Sequence, residues 1–434
     1  MATLTQTLNA HWTRLRQSPL RQFFLDGLRE VTSGGVRYHA WMASLTFVMC
    51  LGAFAYTIQL RDGLAVTGLH DHVSWGLYIS NFTFLVGMAA AAVILVMPTY
   101  VLKDQDFAKA VLIGEALAVS ALIMAISFVV VDVGGPARLW HLLPGIGVFN
   151  WPQSLLAWDI LVLNGYLLLN LIIPFYILYS HYRGRKPQKR FYLPAIFLSI
   201  LWAVSVHLVT AFLYAGLPAR PFWHTALMGP RFLATAFTAG PALMILILAV
   251  LRKHTEIDVR WATIDKLALV ATVAAQVCLV MLGSELFVEF YRQTHHGQSA
   301  MYLYFGLNGK SALTPWIWSA VAMNVAATAI LSVHRLRQTP RWLYSASALL
   351  FAGILIEKGL GTIIPGFIPE PWGRVEEYVP SWVELTVSAG IWAFGAFVFT
   401  ILAKAAIPIE TGRRRFNPSE PPSLVPGVGL EPTR

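Results

Sequence analysis

The chain has 434 residues, 56% hydrophobic and 12% charged, with a mean hydropathy of +0.60 and a net charge of +10. That is too few charges to clothe a soluble protein of this size, so a soluble fold is excluded and a polytopic membrane protein is expected. The basic surplus is not a nucleic-acid signature, because most of it is accounted for by topology.

Apolar runs long enough to cross a bilayer number ten. In chain order they lie near 38–60, 74–100, 109–132, 154–180, 191–214, 229–251, 264–290, 312–334, 342–363 and 381–406. A polar, Arg-containing segment of more than thirty residues precedes the first, which marks it as a retained span and not a cleaved signal peptide. The expected fold is all-α. It divides into a cytoplasmic N-terminal segment (1–37), a transmembrane domain (38–406) and a Pro-rich, disordered cytoplasmic tail (407–434).

Lys and Arg are distributed unevenly about these spans. Twenty-four fall in or beside the N-terminal segment, the four even-numbered connections and the C-terminal end; six fall in the five other connections. The positive-inside rule then places both termini in the cytoplasm of a bacterial inner membrane.

There are two cysteines, Cys50 and Cys278, both within apolar runs, and no CxxCH string. Of twelve histidines only His207 lies well inside a span. Neither haem nor an iron–sulfur cluster is expected in this chain, and no metal ligand set is apparent.

The ionisable residues at membrane depth are Asp132, Asp159, His207, Arg231, Glu285, Glu289, Glu357, Lys358 and Glu384, all in the half of the bilayer away from the termini; Glu115 is the main exception. Each has a plain structural reading. Glu289, Lys358 and Glu384 can snorkel to the interface, Asp132 can bond backbone amides of the turn it opens, Asp159 can cap its helix, and His207 can bridge two helices. Their common depth points to one polar site near that face. The connections GGPARLWHLLPGIGVFNWPQS and AGLPARPFWHTALMGP, rich in Pro, Gly, Trp and His, suit irregular backbone between which a flat ring could lie. Trp140, Trp151, Trp158 and Trp223 can equally form an interfacial aromatic belt. Ser120, Ser127, Asn164, Tyr166 and Asn170 trail inward, either as helix–helix hydrogen bonds or as a proton path.

The strings HVSWGLYISNFTFLVGMAAAAVIL, VVVDVGGPARLWHLLPGIGVFNWPQSLLAWDILVLNGYLLLNL, SVHLVTAFLYAGLPARPFWHTALMGPRFLATAFTAGPAL, YLYFGLNGKSALTPWIWSA and YVPSWVELTVSAG resemble the NrfD/PsrC superfamily of quinone-interacting membrane subunits. The likeness covers about 38–406 and is greatest to the ten-helix branch that includes the DsrP, HmcC and QrcD subunits. It implies two four-helix bundles plus two additional helices. It also implies a quinone or quinol (menaquinone or ubiquinone) bound near the outer face as substrate, and no redox cofactor in the chain itself. The implied partners are a periplasmic ferredoxin-like iron–sulfur subunit, a multihaem cytochrome c and further catalytic or membrane subunits of a respiratory or sulfur-metabolism oxidoreductase. Carried over by position, the family's catalytic residues fall on Asp132, Asp159 and His207. Arg138, His141, Trp158, Tyr214, Trp223, His224 and Arg231 are the candidates to contact the headgroup. Gly135 stands where the family's D-x-G-R-P turn has arginine, which leaves Arg138 as the nearby basic group. Quinol oxidation releases two electrons and two protons, so such a pocket needs one group to accept a proton and another to anchor the second oxygen. A secondary transporter and a purely structural anchor are the alternative classes; the first would place its charges at the midplane of inverted repeats.

Overall fold

The computed structural model describes residues 18–89, 91–104, 106–143, 145–291, 297–370 and 373–417. Residues 1–17 and 418–434, and with them most of the expected disordered tail, lie outside the described residues. Among the described residues ten helices are long and apolar enough to span a membrane. They are α2 (Val36–Asp62), α3 (Leu77–Tyr100), α4 (Ala108–Asp132), α5 (Leu155–Tyr182), α6 (Lys189–Ala215), α7 (Met228–His254), α8 (Trp261–Tyr291), α10 (Thr314–Ser332), α11 (Pro340–Phe367) and α12 (Trp382–Glu410). Two shorter helices, α1 (Pro19–Thr32) and α9 (Gln298–Phe305), lie outside the spans.

Local chemistry sets the helix starts. Ser154 caps α5 by accepting from Ala157 N at 3.4 Å, so Asp159, five residues on, is not the cap. Ser381 and Glu384 form a reciprocal capping box at α12, and Pro315 and Pro340 sit in the first turns of α10 and α11. Within the spans, hydroxyl and amide side chains mostly satisfy themselves on their own helix. Ser120 donates to Ala116 O, Asn164 to Ile160 O and Asn170 to Tyr166 O, each at 2.8 Å. The inward polar trail is therefore largely intrahelical, an arrangement that costs nothing in hydrocarbon. Tyr166 alone reaches another helix, at Ala89 O.

Helix contacts form two rings. α3 packs on α4, α4 on α5, α5 on α6 and α6 back on α3; likewise α7 packs on α8, α8 on α10, α10 on α11 and α11 back on α7. These are the two four-helix bundles, and α2 and α12, paired with each other against α4, are the additional helices. α2 and α12 cross where two glycines meet: a Cβ on Gly52 would lie 2.6 Å from the Gly390 Cα, the close approach that small residues permit in lipid. α3 touches helices of both bundles and its apolar window is entirely buried, whereas that of α2 is mostly outward-facing.

With ten spans the described chain ends share one face, here the terminal face; the other is the distal face. Glu30 of α1 is held there by Arg413 and Arg414 at 3.0 and 2.6 Å. α1 falls in the segment read as polar from sequence. It is amphipathic, with Phe23 packed edge-on against Phe175, Tyr179 and Tyr182. On the distal face Glu384 is fully buried and does not snorkel. Its carboxylate accepts from Gly68 N at 2.6 Å, Ser381 N at 3.0 Å and Tyr378 OH at 2.5 Å. It thereby ties the α2–α3 and α11–α12 connections together. Burial, reinforced by Glu384, pushes the Tyr378 phenol above its usual range, so it remains a donor at physiological pH.

Candidate functional site

Asp159 lies four residues inside α5 and is 2% exposed. Its carboxylate accepts from the Thr210 hydroxyl of α6 at 2.6 Å, and it takes part in no ion pair among the described residues. His207 is one turn deeper on the same face of α6, eight residues from the helix end, or about 12 Å along the axis. It is 0% exposed. Nδ1 meets Ala203 O of its own helix at 2.7 Å; Nε2 faces the Gly87 carbonyl of α3 without an aligned hydrogen bond. The histidine is therefore not a satisfied bridge between helices. A buried carboxylate without a counter-ion and a buried imidazole with an open nitrogen are both costly to leave so, and at membrane depth each is a functional-site signal.

Aromatic rings cover these groups on the distal side. Tyr214 OH shares a 2.5 Å hydrogen bond with Thr83 of α3, and Tyr214 lies within electrostatic reach of both Asp159 and Asp132. Trp223 reaches back from the α6–α7 connection, stacks on Trp75 at 5.8 Å and donates Nε1 to Thr362 O of α11 at 2.7 Å. Phe232 and Phe367 complete the cluster. Arg220 caps it at 4.7 Å over the Phe367 ring, and burial lowers its pKa from the usual guanidinium value.

A second group of charges lies across the bundle interface. α11 carries a π-turn over Leu355–Leu360, which lets consecutive residues bury on different sides. Glu357 faces the second bundle, accepting from Arg231 at 2.9 Å and from Asn324 at 2.7 Å; Arg231 also pairs with Glu285. Lys358 lies at the seam between the bundles, with Nζ 3.2 Å from Phe232 O of α7 and 4.5 Å over the Phe232 ring. A Cβ on Gly87 would stand 2.8 Å from that Nζ, so Lys358 and His207 meet at Gly87. Lys358 is 3% exposed and belongs to no ion pair among the described residues. It does not snorkel, because the π-turn aims it inward.

The structure thus gathers Asp159, His207, Tyr214 and Trp223 around one buried locus, with Arg231 in the adjoining network. Asp132, at the end of α4, lies toward Tyr78 and Glu384. Its Oδ1 is buried without a partner among the described residues, so that oxygen does not bond the turn it opens. Arg138 and His141 are exposed on a short 3-10 helix (Pro136–Leu142), His141 stacked on Trp140 at 3.8 Å. His224 is exposed and its Nδ1 meets Ala215 O. Trp158 packs at a tilt against Trp151, ring centroids 3.7 Å apart, and donates to Pro152 O. The two Trp-rich connections therefore differ: that between α4 and α5 spreads over the surface, while that between α6 and α7 tucks Phe222 and Trp223 inside. Sequence reasoning missed Thr210, Thr83 and Trp75; of these Thr210 alone carries a signal, its helical register with His207 and Tyr214 on α6, and in sequence Lys358 reads both as one of the charges at membrane depth and as able to snorkel.

Known proteins are similar in sequence to this chain over most of its length. A family profile described as "Polysulphide reductase, NrfD" matches residues 65–367. The integral membrane subunit of an Hdr-like menaquinol oxidoreductase from Archaeoglobus fulgidus is 24% identical, over 88% of this chain and 96% of its own length. The integral membrane subunit of a menaquinone reductase from Nitratidesulfovibrio vulgaris is 24% identical over 84% and 90%. One of the subunits of a selenate reductase from Mesobacillus selenatarsenatis is 22% identical over 82% and 91%.

Proposed function

Since this chain belongs to the polysulphide reductase NrfD family, we propose that it is the quinone-reactive membrane subunit of a multi-subunit oxidoreductase. In this reading it exchanges electrons between the quinone pool and a ferredoxin-like iron–sulfur subunit on the distal face, without a haem or cluster of its own. The observation that carries the reading is the buried pair Asp159 and His207, each with unused hydrogen-bonding capacity, at one locus under aromatic rings. The names of the Archaeoglobus and Nitratidesulfovibrio relatives favour menaquinone as the substrate class. The distal face is then periplasmic and the Arg-rich terminal face cytoplasmic in a bacterial inner membrane, with a multihaem cytochrome c as a further component of the complex.

The residues suit the chemistry. Two electrons and two protons leave a quinol as it becomes quinone. Asp159 takes one hydroxyl proton, with Thr210 steadying the carboxylate that receives it; His207 Nε2 accepts from the second hydroxyl and takes its proton, and the two electrons pass to the iron–sulfur subunit. Quinone reduction runs the same transfers in reverse. Trp75, Tyr214 and Trp223 offer flat faces to the ring and exclude water. Because Tyr214, Trp223 and His207 are fully buried, the headgroup gains access by displacing side chains of this cluster.

Asp159→Asn keeps shape and some hydrogen bonding but removes the acceptor. Quinol-dependent reduction of the partner's clusters, per assembled complex, should fall by about 10²- to 10⁴-fold, the range for a lost general base. His207→Ala should weaken quinone binding as well as turnover. Near-normal rates in both variants would place the site elsewhere.

A further inference from the structure

Outside the buried locus, one group of side chains on the distal face is built as a ligand set. His72, in the α2–α3 connection, stands between two carboxylates of the α11–α12 connection: Nδ1 is 3.0 Å from Glu370 Oε1 and Nε2 is 3.5 Å from Glu376 Oε1. One ligand atom from each of the three residues falls within 4.8 Å of the other two. His70 adjoins them, its Nδ1 3.9 Å from Glu376 Oε2 and its ring 5.9 Å from that of His72. The backbone holds the donors in place: Glu370 N donates to Arg374 O at 3.0 Å, Gly373 N to Glu370 O at 2.8 Å, and His70 N to Val73 O at 3.2 Å.

A second observation is independent of the clustering. Glu370 is 8% exposed, and its Oε1 is buried with no hydrogen bond despite the nearby imidazole, whose N–H is not aligned with it. Buried carboxylate oxygens are normally satisfied, so this one lacks a partner of some kind. Arg220, close enough to feel the Glu370 charge, lies over the Phe367 ring and bonds Phe367 O at 3.4 Å instead.

We propose that His72, Glu370 and Glu376 form a binding site for a divalent first-row transition-metal ion of the zinc class, which clasps the α2–α3 connection to the α11–α12 connection. An imidazole with two carboxylates is a borderline donor set that suits zinc better than the all-oxygen sets of calcium or magnesium. Tetrahedral zinc at about 2.0–2.1 Å would hold its ligand atoms roughly 3.3 Å apart. The present spread closes to that by a modest swing of Glu376, the most exposed member at 44%. Water or His70 completes the shell. The ion neutralises the two carboxylates that face one imidazole, and the clasp lies three residues from Trp75, in the same connection. This inference does not depend on the quinone reading.

The full-length chain, purified in detergent with any affinity tag removed and stripped with chelator, is titrated with Co²⁺ as a spectroscopic probe and then with Zn²⁺. One equivalent of Co²⁺ per chain should bind with a visible d–d band that Zn²⁺ abolishes, and Zn²⁺ should raise the melting temperature. Glu376→Gln, at a half-buried position in a connection, and His72→Gln should each weaken binding by roughly tenfold or more. His254→Gln, an exposed histidine on the terminal face, should bind as the unaltered chain does. No stoichiometric uptake, or uptake unchanged in both ligand variants, would overturn the site and leave His72 as a side chain set between two carboxylates.

Discussion

Arg231 and Lys358 are both cations within spans, yet their surroundings predict opposite responses to removal. Arg231 faces Glu285 and Glu357 and is the only cation in ion-pair contact with either among the described residues. Arg231→Met strands the buried Glu357 and the partly buried Glu285 and should destabilise the protein by about 3–5 kcal/mol. Lys358 has a carbonyl and a ring for company, so Lys358→Met removes a buried ammonium that nothing neutralises directly. Its thermal stability in detergent should equal or exceed that of the unaltered protein, while turnover falls if the charge serves the site beside His207. A Lys358→Met variant that unfolds as readily as Arg231→Met would show that Lys358 is a structural partner after all. Thr210 allows a finer test. Thr210→Val takes away the hydroxyl that Asp159 accepts from and should cost about 1.5–3 kcal/mol, as for hydrogen bonds to charged groups, whereas Thr210→Ser should restore both stability and turnover. Asp159 and His207 were legible in the sequence because charged or imidazole side chains deep in apolar runs are conspicuous. Thr210 was not, since a threonine in a span ordinarily bonds its own helix.

Elements carry two features that composition leaves silent. The glycine contact between Gly52 and Gly390 sets how closely α2 and α12 approach. Gly390→Leu should force them apart and destabilise the pair by about 1–3 kcal/mol, and the measurement is disulfide trapping between cysteines placed on facing turns of the two helices. Trapping at the unaltered rate would show that the helices do not need this approach. The π-turn of α11 is the other feature: it allows Glu357 and Lys358, adjacent in sequence, to enter different surroundings, Glu357 beside Arg231 and Asn324 and Lys358 at the bundle seam beside Phe232 and Gly87. Span positions were legible to within about four residues at each end, because a run of twenty apolar residues has few other uses. The π-turn was not, since its extra residue shows only in how the helix meets its neighbours. α1 escaped notice because an amphipathic helix shows a face and not an apolar run.

For the whole molecule, the uneven distribution of Lys and Arg makes a directional claim. Lys186, exposed in the α5–α6 connection, should lie in the cytoplasm, and Lys310, exposed before α10, in the periplasm. Single cysteines at these positions, in a Cys50→Ser, Cys278→Ser background, can be probed with an impermeant maleimide on intact spheroplasts. Label at residue 310 alone is expected; label at 186 alone would invert the orientation. The same preparation, freed of partner subunits, should show no Soret band, and a persistent one would mean that the chain ligates haem.

The sequence by itself determined the all-α class, the ten spans, their alternating direction and the depth of Asp159, His207, Glu357 and Lys358, because hydrocarbon demands long apolar helices and makes each buried charge stand out. Tertiary structure alone decided which of those residues meet. In a bilayer the lipid-facing and the inward-facing sides of a helix are both apolar, so no hydrophobic stripe tells which side turns in. Helix rotation is chosen by the fit of small residues such as Gly87 and Gly52 against their neighbours. For that reason the Asp159–Thr210 bond, the meeting of Lys358 with His207, and the gathering of His72 with Glu370 and Glu376 across some three hundred residues of chain appear only once the helices are packed.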